Sequence, residues 1–369
     1  MTSAADSFPP GTPAVSFPPP AGWSRGWVIR LALVLAALVA VAVLRPGAKP
    51  KAVELRGFTM GTHYNVRLAQ LPSGMGREEL QTRIEASLAT VNRQMSTYLP
   101  DSELSRFNRW EQEDWFPVSP ATAQVVATAQ EISRQTDGAF DVTVGPLVNL
   151  WSFGPEARPD APPTEDEIER ARARVDYRRV EVRSEPPALR KSDPDVYVDL
   201  SGVAKGYAVD LLVDLLTNLG IRGGMVEIGG DLATWGTRAD GTPWRIGIER
   251  PITWGHALHQ VIGLANRALA TSGDYRNYFE WEGRRYSHQI DPRTGWPVQH
   301  ELTSVSVIAA NCKLADAWAT ALMVAGPDRA ERLAREHDLQ VLLILRTEAG
   351  FEDRMAGGFE RYLLAPSER

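Results

Sequence analysis

Between Glu78 and Met95 the apolar positions Leu80, Ile84, Leu88, Val91 and Met95 recur at steps of four, four, three and four, the spacing of one helical face. Ser119-Pro120 pairs an N-cap with a proline at the first helical position, and predicts a helix that stops near Asp137-Gly138. Further helices are predicted over 203–219, ending at Gly220, over Leu314–Val324 and over 327–337. Between them lie short runs of strand character: FTMGTHYNVRL as one strand, then Met225–Ile228, Arg245–Glu249, His259–Leu264, Thr303–Ala309 and Gln340–Leu345. Glu282-Gly283 reads as the turn of a hairpin. A charged, proline-containing stretch from Gly154 to Val182 crosses a loop and a short helix and returns into a strand. Strands and helices mix without a regular βαβ alternation, and no internal repeat is visible. The pattern predicts an α+β fold with one mixed α/β catalytic domain over residues 55–369.

The first fifty residues follow other rules. Residues 1–26 begin with a Pro-, Ala-, Gly- and Ser-rich tract that includes PPGTPAVSFPPP, a composition that cannot bury a core and reads as disordered. Residues 27–44 contain the uninterrupted apolar run Leu31–Leu44, of 14 residues, or 18 when counted from Trp27 with Arg30 inside. The shorter count is typical of a signal peptide and the longer approaches a membrane anchor. No cysteine follows, which excludes a lipoprotein signal. The expectation is an exported protein, anchored in the inner membrane facing the periplasm, or periplasmic if the segment is cleaved. Arg45, Lys49, Lys51 and Arg56 on the far side run against the positive-inside rule, which weakens for long translocated domains. Residues 45–54 then serve as a linker.

Composition narrows the rest. The chain has 369 residues, 43% hydrophobic and 23% charged, enough for a sizeable core. Its formal net charge of −6 argues against nucleic acid as a partner. The single cysteine, Cys312, rules out an internal disulfide framework or a cysteine-based metal site and reads as structural. Eleven tryptophans suit either packing or flat aromatic ligands.

Four places carry candidate chemistry. VDLSGVAKGYAVD (198–210) reads as a short strand, a small-residue turn and a helix start, with Asp199, Gly202 and Lys205 in the turn region. Such a turn can hold a phosphate, and Lys205 is either its contact or a solvated helix residue. In KLADAWATALMVAG, Asp316 and Thr320 share one face of a helix that is otherwise apolar. A buried carboxylate there needs a partner, which can be Mg²⁺, an arginine or a loop it caps. His288 stands beside the turn Asp291-Pro292-Arg293-Thr294-Gly295, as a general base or a structural histidine. The remaining five histidines gain no role from their surroundings. DGAFDVTVGPLVNLWSFG, with Phe140, Asp141, Trp151 and Phe153, can line a flat-ring pocket or form a packed turn.

Taken together these segments resemble the ApbE family, the FAD:protein FMN transferases. The resemblance covers about residues 55–330 and rests on eight motifs in the family's order: MGTHY (60–64), STYLPDSELSRFN (96–108), GAFDVTVGPLVNLW (138–151), VDLSGVAKGYAVD (198–210), IGGD (228–231), ATSGDY (270–275), SHQIDPRTG (287–295) and ADAWATAL (315–322). By motif position it implies that Met60, Tyr98, Ala139, Phe140, Asp141, Asp199, Lys205 and Ile290 contact FAD. It implies Mg²⁺ ligands at the Gly202 carbonyl, the Asp316 carboxylate and the Thr320 hydroxyl. The implied reaction transfers FMN from FAD to a Thr or Ser hydroxyl of an acceptor protein and releases AMP, and His288 is the candidate base. The acceptor would be an exported redox protein or a membrane electron-transfer subunit, such as those of sodium-pumping quinone reductases. Glu227, where many relatives carry Asn, and Gln289, in place of an aliphatic residue, depart from the pattern without removing a proposed ligand. Two other readings use the same cleft: a protein that binds FAD intact, and a metal-dependent FAD pyrophosphatase.

Overall fold

The structure, a computed structural model, describes residues 53–155, 161–238, 240–253 and 255–365, and before them Val34. The predicted Pro-rich tail, apolar segment and linker thus lie almost wholly outside the described residues. Pro50–Arg369 forms one unit and Met1–Lys49 another. No helix among the described residues is long and apolar enough to cross a membrane.

Fifteen strands are described, β1 (Val53–Thr59), β2 (Thr62–Leu68), β3 (Phe116–Pro117), β4 (Val180–Ser184), β5 (Pro187–Lys191), β6 (Gly224–Ile228), β7 (Asp231–Trp235), β8 (Trp244–Glu249), β9 (Leu258–Leu264), β10 (Arg267–Gly273), β11 (Tyr278–Trp281), β12 (Arg284–Ser287), β13 (Leu302–Ala309), β14 (Gln340–Thr347) and β15 (Gly350–Ala356). The helices are α1 (Arg77–Met95), α2 (Glu103–Asn108), α3 (Pro120–Gln135), α4 (Gly145–Leu150), α5 (Glu165–Arg172), α6 (Ala204–Asn218), α7 (Cys312–Ala325) and α8 (Pro327–Glu336). An eight-stranded antiparallel sheet runs in the order β1-β2-β6-β7-β10-β13-β14-β15.

Side-chain alternation splits this sheet between two cores. In β14, Val341, Leu343 and Leu345 point to the helices, whereas Leu342 and Ile344 join Trp244, Ile246, Ile262 and Leu264 of the β8–β9 hairpin on the other face. With both faces covered, β14 shows a continuous apolar run instead of an alternating one. A third, smaller cluster packs Leu147, Trp151 and Ile168 against Tyr286 of the β11–β12 hairpin.

Two local expectations are corrected. FTMGTHYNVRL is not one strand: Thr59 pairs with Thr62 and the chain reverses at Met60-Gly61. Residues 198–200 are not a ladder strand either. They run extended because the Asn108 side chain takes the place of a neighbouring strand, its Oδ1 accepting from Val198 N at 2.8 Å and its Nδ2 donating to Val198 O at 2.8 Å.

The approach of α6 to α7 sets the geometry of the site. A Cβ on Gly206 would lie 2.4 Å from the Cys312 carbonyl oxygen, so only glycine lets the two helix starts touch. Asp210, one turn further along α6, accepts from the backbone N–H groups of Cys312 and Lys313 at 2.7 and 2.9 Å and caps α7 from outside. Alanines 315, 317, 319 and 321 are fully buried and let α7 lie close on β10 and β13.

Candidate active site

One cleft of about 1490 Å³ opens between the sheet, the start of α6, α7 and the base of the β11–β12 hairpin. It exceeds the roughly 300–1,000 Å³ typical of pockets for drug-sized ligands, which suits a dinucleotide. Met60, Tyr98, Ala139, Phe140, Asp141, Asp199, Gly202, Lys205, His288, Ile290, Asp316 and Thr320 all line it. A second groove of about 1070 Å³, over Trp318 and His337, holds none of them.

Met60 enters the cleft from the β1–β2 turn, where it and Gly61 both have positive φ, 49° and 74°. Asn or Gly is the usual choice at such a turn, and a methionine in the left-handed region is strained. The strain places a flexible apolar side chain at the cleft wall. Met60→Asn is expected to stabilise the fold by about 1 kcal/mol while weakening FAD binding. Thermal melts and FAD fluorescence titration on the same variant check both signs.

The segment 139–141 forms another wall. Asp141 is buried and its carboxylate is occupied by donors from Thr143 and Tyr177. Oδ1 accepts from Thr143 N at 2.7 Å and from Thr143 Oγ1 at 2.6 Å, and Oδ2 accepts from Tyr177 N at 3.0 Å. Burial raises its pKa, against those hydrogen bonds. Phe153 also lines the cleft and its carbonyl accepts from the Tyr98 hydroxyl at 3.2 Å. Trp151 does not line it. It is fully buried, stacks on Tyr286 and donates through Nε1 to Gly295 O at 2.8 Å. Phe153 is thus placed at the cleft and Trp151 is not, because its indole N–H is committed to a buried acceptor.

Charge concentrates at the floor. Asp231 and Asp316 are 2% and 3% exposed, and Lys205 ion-pairs with both, contacting Asp231 Oδ2 and lying 3.5 Å from Asp316 Oδ1. Burial and the neighbouring Asp231 push the Asp316 carboxyl above the usual carboxylate range, and Lys205 opposes them. Burial alone would lower the Lys205 pKa, but the two carboxylates outweigh it and hold the ammonium charged. Asp199 beside them accepts at Oδ1 from Ser201 N at 2.8 Å and from Ser201 Oγ, which curls the loop so that Gly202 faces α7.

A Cβ on Gly202 would come within 3.3 Å of Thr320 Oγ1 and 3.0 Å of Phe140, so the loop main chain packs directly on the α7 hydroxyl. Thr320 Oγ1 also lies 3.3 Å from Ser272 Oγ. Asp316, one turn earlier, directs Oδ2 to Gly206 N at 3.0 Å. Among the described residues no three His, Cys, Asp or Glu side chains cluster into a metal cage. The donors that the resemblance implies at this floor are instead one carboxylate, one hydroxyl and one main-chain carbonyl, all oxygen. That set fits Mg²⁺, which is held by one or two carboxylates and takes its remaining oxygens from substrate phosphates and water.

His288 stands at the end of β12. Its Nδ1 is 3.0 Å from the Asn277 carbonyl, which can only accept, so Nδ1 carries the proton. Nε2 then bears the lone pair, 3.1 Å from the Gln289 amide nitrogen. Burial, and more weakly Lys205, lower its pKa and favour the neutral ring. The Phe153 ring meets the imidazole edge-on at 6.2 Å.

A family model described as "ApbE family" matches residues 60–343. The chain belongs to the ApbE family. A FAD:protein FMN transferase from Vibrio cholerae is 46% identical over 92% of this chain and 99% of its own length. The transferase of that name from Escherichia coli K12 is 40% identical over 91% of this chain and 97% of its own. Among solved structures, the flavin transferase ApbE from Vibrio cholerae superposes with a TM-score of 0.79 at 44% identity, covering 85% of this chain and 99% of that one. An ApbE protein from Thermotoga maritima gives 0.76 at 30% identity, over 85% and 100%. This chain is accordingly an enzyme of flavin transfer, with FAD as substrate and a mixed α/β fold shared with the family's solved members.

Three residues that shape the site had no assigned role in the sequence reading. Asp231 closes the quoted IGGD motif, and its position after two glycines is the signal that could have singled it out. Asn108 ends a quoted motif and brackets Val198. Lys191 is almost fully buried, with Nζ donating to the carbonyls of Asn108, Pro194 and Val196 at 2.8, 2.8 and 3.2 Å, and burial lowers its pKa to about 8. Nothing in its charged neighbourhood, LRKSD, marks it as a core residue. Glu227 lines the cleft and accepts from Gly230 N at 2.7 Å, and burial raises its pKa.

Proposed function

We propose that this enzyme moves FMN from FAD onto a Thr or Ser hydroxyl of an acceptor flavoprotein, with Mg²⁺ required and AMP released. The observation that carries the reading is the cleft floor, where Lys205, the Asp316–Thr320 pair and the Gly202 loop converge. Asp316, Thr320 and the Gly202 carbonyl would hold the metal. When bound, Mg²⁺ supplies positive charge to the pyrophosphate and its leaving group.

The chain's own residues do the rest. Lys205 places an ammonium against the phosphates, and the walls of Met60, Tyr98, Ala139, Phe140, Asp141, Asp199 and Ile290 hold the two ring systems and exclude water. The acceptor hydroxyl oxygen attacks the phosphorus of the FMN half. The bond from that phosphorus to the bridging oxygen breaks, and AMP leaves with the oxygen. The hydroxyl proton passes to His288 Nε2, the nitrogen that the Asn277 carbonyl leaves unprotonated, and the acceptor hydroxyl takes the place of the Gln289 amide that donates to it in the free enzyme. The product is a phosphoester between FMN and the acceptor.

The test is mass spectrometry of a candidate acceptor subunit, co-expressed with this enzyme and after purification with FAD and Mg²⁺. A mass gain of one FMN on a Thr or Ser supports the reading. AMP production at full rate with no acceptor present would make the enzyme a pyrophosphatase instead.

The location proposed is the outer face of the inner membrane, or the periplasm after cleavage, on the strength of the apolar run Leu31–Leu44. The acceptor is then an exported redox protein or a membrane electron-transfer subunit. Removing residues 1–50 is expected to leave a soluble, active transferase. An insoluble product rescued only by restoring the segment would overturn that expectation.

A further inference from the structure

The two buried carboxylates at the cleft floor are satisfied in the same way. Asp231 gives Oδ1 to the backbone N–H of Thr271 at 3.3 Å and Oδ2 to Lys205. Asp316 gives Oδ2 to the N–H of Gly206 at 3.0 Å and leaves Oδ1 facing Lys205 at 3.5 Å. One ammonium thus balances two carboxylates that lie almost wholly out of water, where an uncompensated charge is strongly unfavourable. The lysine side chain itself is 31% exposed, against 3% and 4% for the two acids, so it is the one of the three with room to move further into the cleft.

The carboxylate oxygen that Asp316 has available for a metal is therefore the one that Lys205 faces. A divalent cation on Oδ1 would stand close to an ammonium held by Asp231, and like charges at that range repel. The geometry points to Lys205 as a built-in counter-cation that competes with the divalent metal for Asp316, so that the anionic pyrophosphate of FAD, by drawing the lysine into the cleft, raises the site's affinity for the metal. This inference rests on the metal reading proposed above. Asp231 is a positioning residue in it, giving the lysine a second anchor so that Asp316 can release it. The enzyme then assembles its charged site in concert with its substrate, as linkage between two ligands requires.

The consequence runs opposite to ordinary ligand loss. Binding of Mn²⁺, used as the probe for the metal, is measured by calorimetry or electron paramagnetic resonance on the purified protein without FAD. Lys205→Met is expected to tighten Mn²⁺ binding by about 10-fold, because Asp316 loses the cation that competes for it. Asp231→Asn is expected to weaken it several-fold, because the lysine then rests on Asp316 alone. The double variant Lys205→Met/Asp231→Asn is expected to bind more tightly than Asp231→Asn, which separates competition from direct ligation by Asp231. Adding FAD should tighten Mn²⁺ binding by a larger factor in the wild type than in Lys205→Met.

Mn²⁺ affinity that is unchanged or weaker in Lys205→Met overturns the competition. Failure of the wild type to bind Mn²⁺ even with FAD overturns the metal reading itself. Melting curves establish that each variant is folded. Should Lys205→Met not fold, Lys205→Gln, which keeps a donor for Asp231, is expected to shift Mn²⁺ affinity in the same direction, and no shift there counts against the inference.

Discussion

Replacing Asp316 with alanine is expected to abolish FMN transfer while FAD still binds, more weakly. Of the three proposed metal donors, Asp316 is the only one that carries a full charge; the hydroxyl of Thr320 and the carbonyl of Gly202 are neutral. A Mg²⁺ left with those two keeps its hydration shell instead of entering the site. The charge it contributes to the pyrophosphate and leaving group is worth several kcal/mol, about three powers of ten in rate at 1.4 kcal/mol each. The fold should survive, because Asp231 remains as partner to Lys205 and the lost carboxylate is one that burial disfavours. FAD retains the apolar walls and Lys205. Fluorescence titration with FAD, a thermal melt and a transfer assay at saturating Mg²⁺ make the measurement complete. Full transfer in this variant would remove the metal from the site.

His288→Asn is expected to leave FAD and metal affinity near wild type and to slow transfer by roughly 10²–10⁴-fold, the usual contribution of a general base. The lower end is favoured by a loose phosphoryl-transfer transition state, which asks little of a base. The pH dependence carries the sharper signature. A general base acts unprotonated, and burial lowers the pKa of this imidazole below its ordinary value near 6.5. Wild-type transfer should therefore hold steady across neutral pH and fall only as pH drops through that depressed value. The variant should lose this acidic limb. Should His288 only pack against Phe153 and hold the Asn277 turn, the variant would instead melt earlier or bind FAD less well, with the limb intact. Rates and FAD affinity from pH 5 to 9 on both proteins decide between these outcomes.

Much of the fold is legible in the chain where the signal is local. The α1 stripe Leu80, Ile84, Leu88, Val91 and Met95 is buried as its period requires. Ser119 caps α3 through its hydroxyl, which accepts from Thr122 N. The β11–β12 hairpin turns at Glu282-Gly283 as its residues predict. The chain hides the elements whose residues contradict local preference or give no period. The β1–β2 turn is hidden in the sequence because Met60 occupies a position that favours Asn or Gly. Strand β7 is short and buried along its whole length, so it shows no alternation to read.

The motifs carried the candidate site further than periodicity could. Each of the twelve FAD, metal and base residues assigned from them faces the same cleft, although they come from six separated stretches of chain. What those motifs mean chemically came from their joint resemblance to a family; singly, each also fitted an uncatalytic turn, cap or surface residue.

By itself, then, the sequence determined the helices with a clear apolar face, the capped starts and glycine turns, the mixed α/β class and the set of residues grouped by motif. Those properties depend on neighbours within a few positions, where backbone preference and side-chain spacing act directly. Only the tertiary structure decided that Lys205 is shared by Asp231 and Asp316, that Asn108 substitutes for a strand beside Val198, that Lys191 is buried under three carbonyls, and that Asn277 sets which nitrogen of His288 carries the proton. Each of these pairs groups distant in sequence, and the energy of a buried charge or an unpaired polar atom depends on which partner the folded chain brings to it and on how much water is excluded.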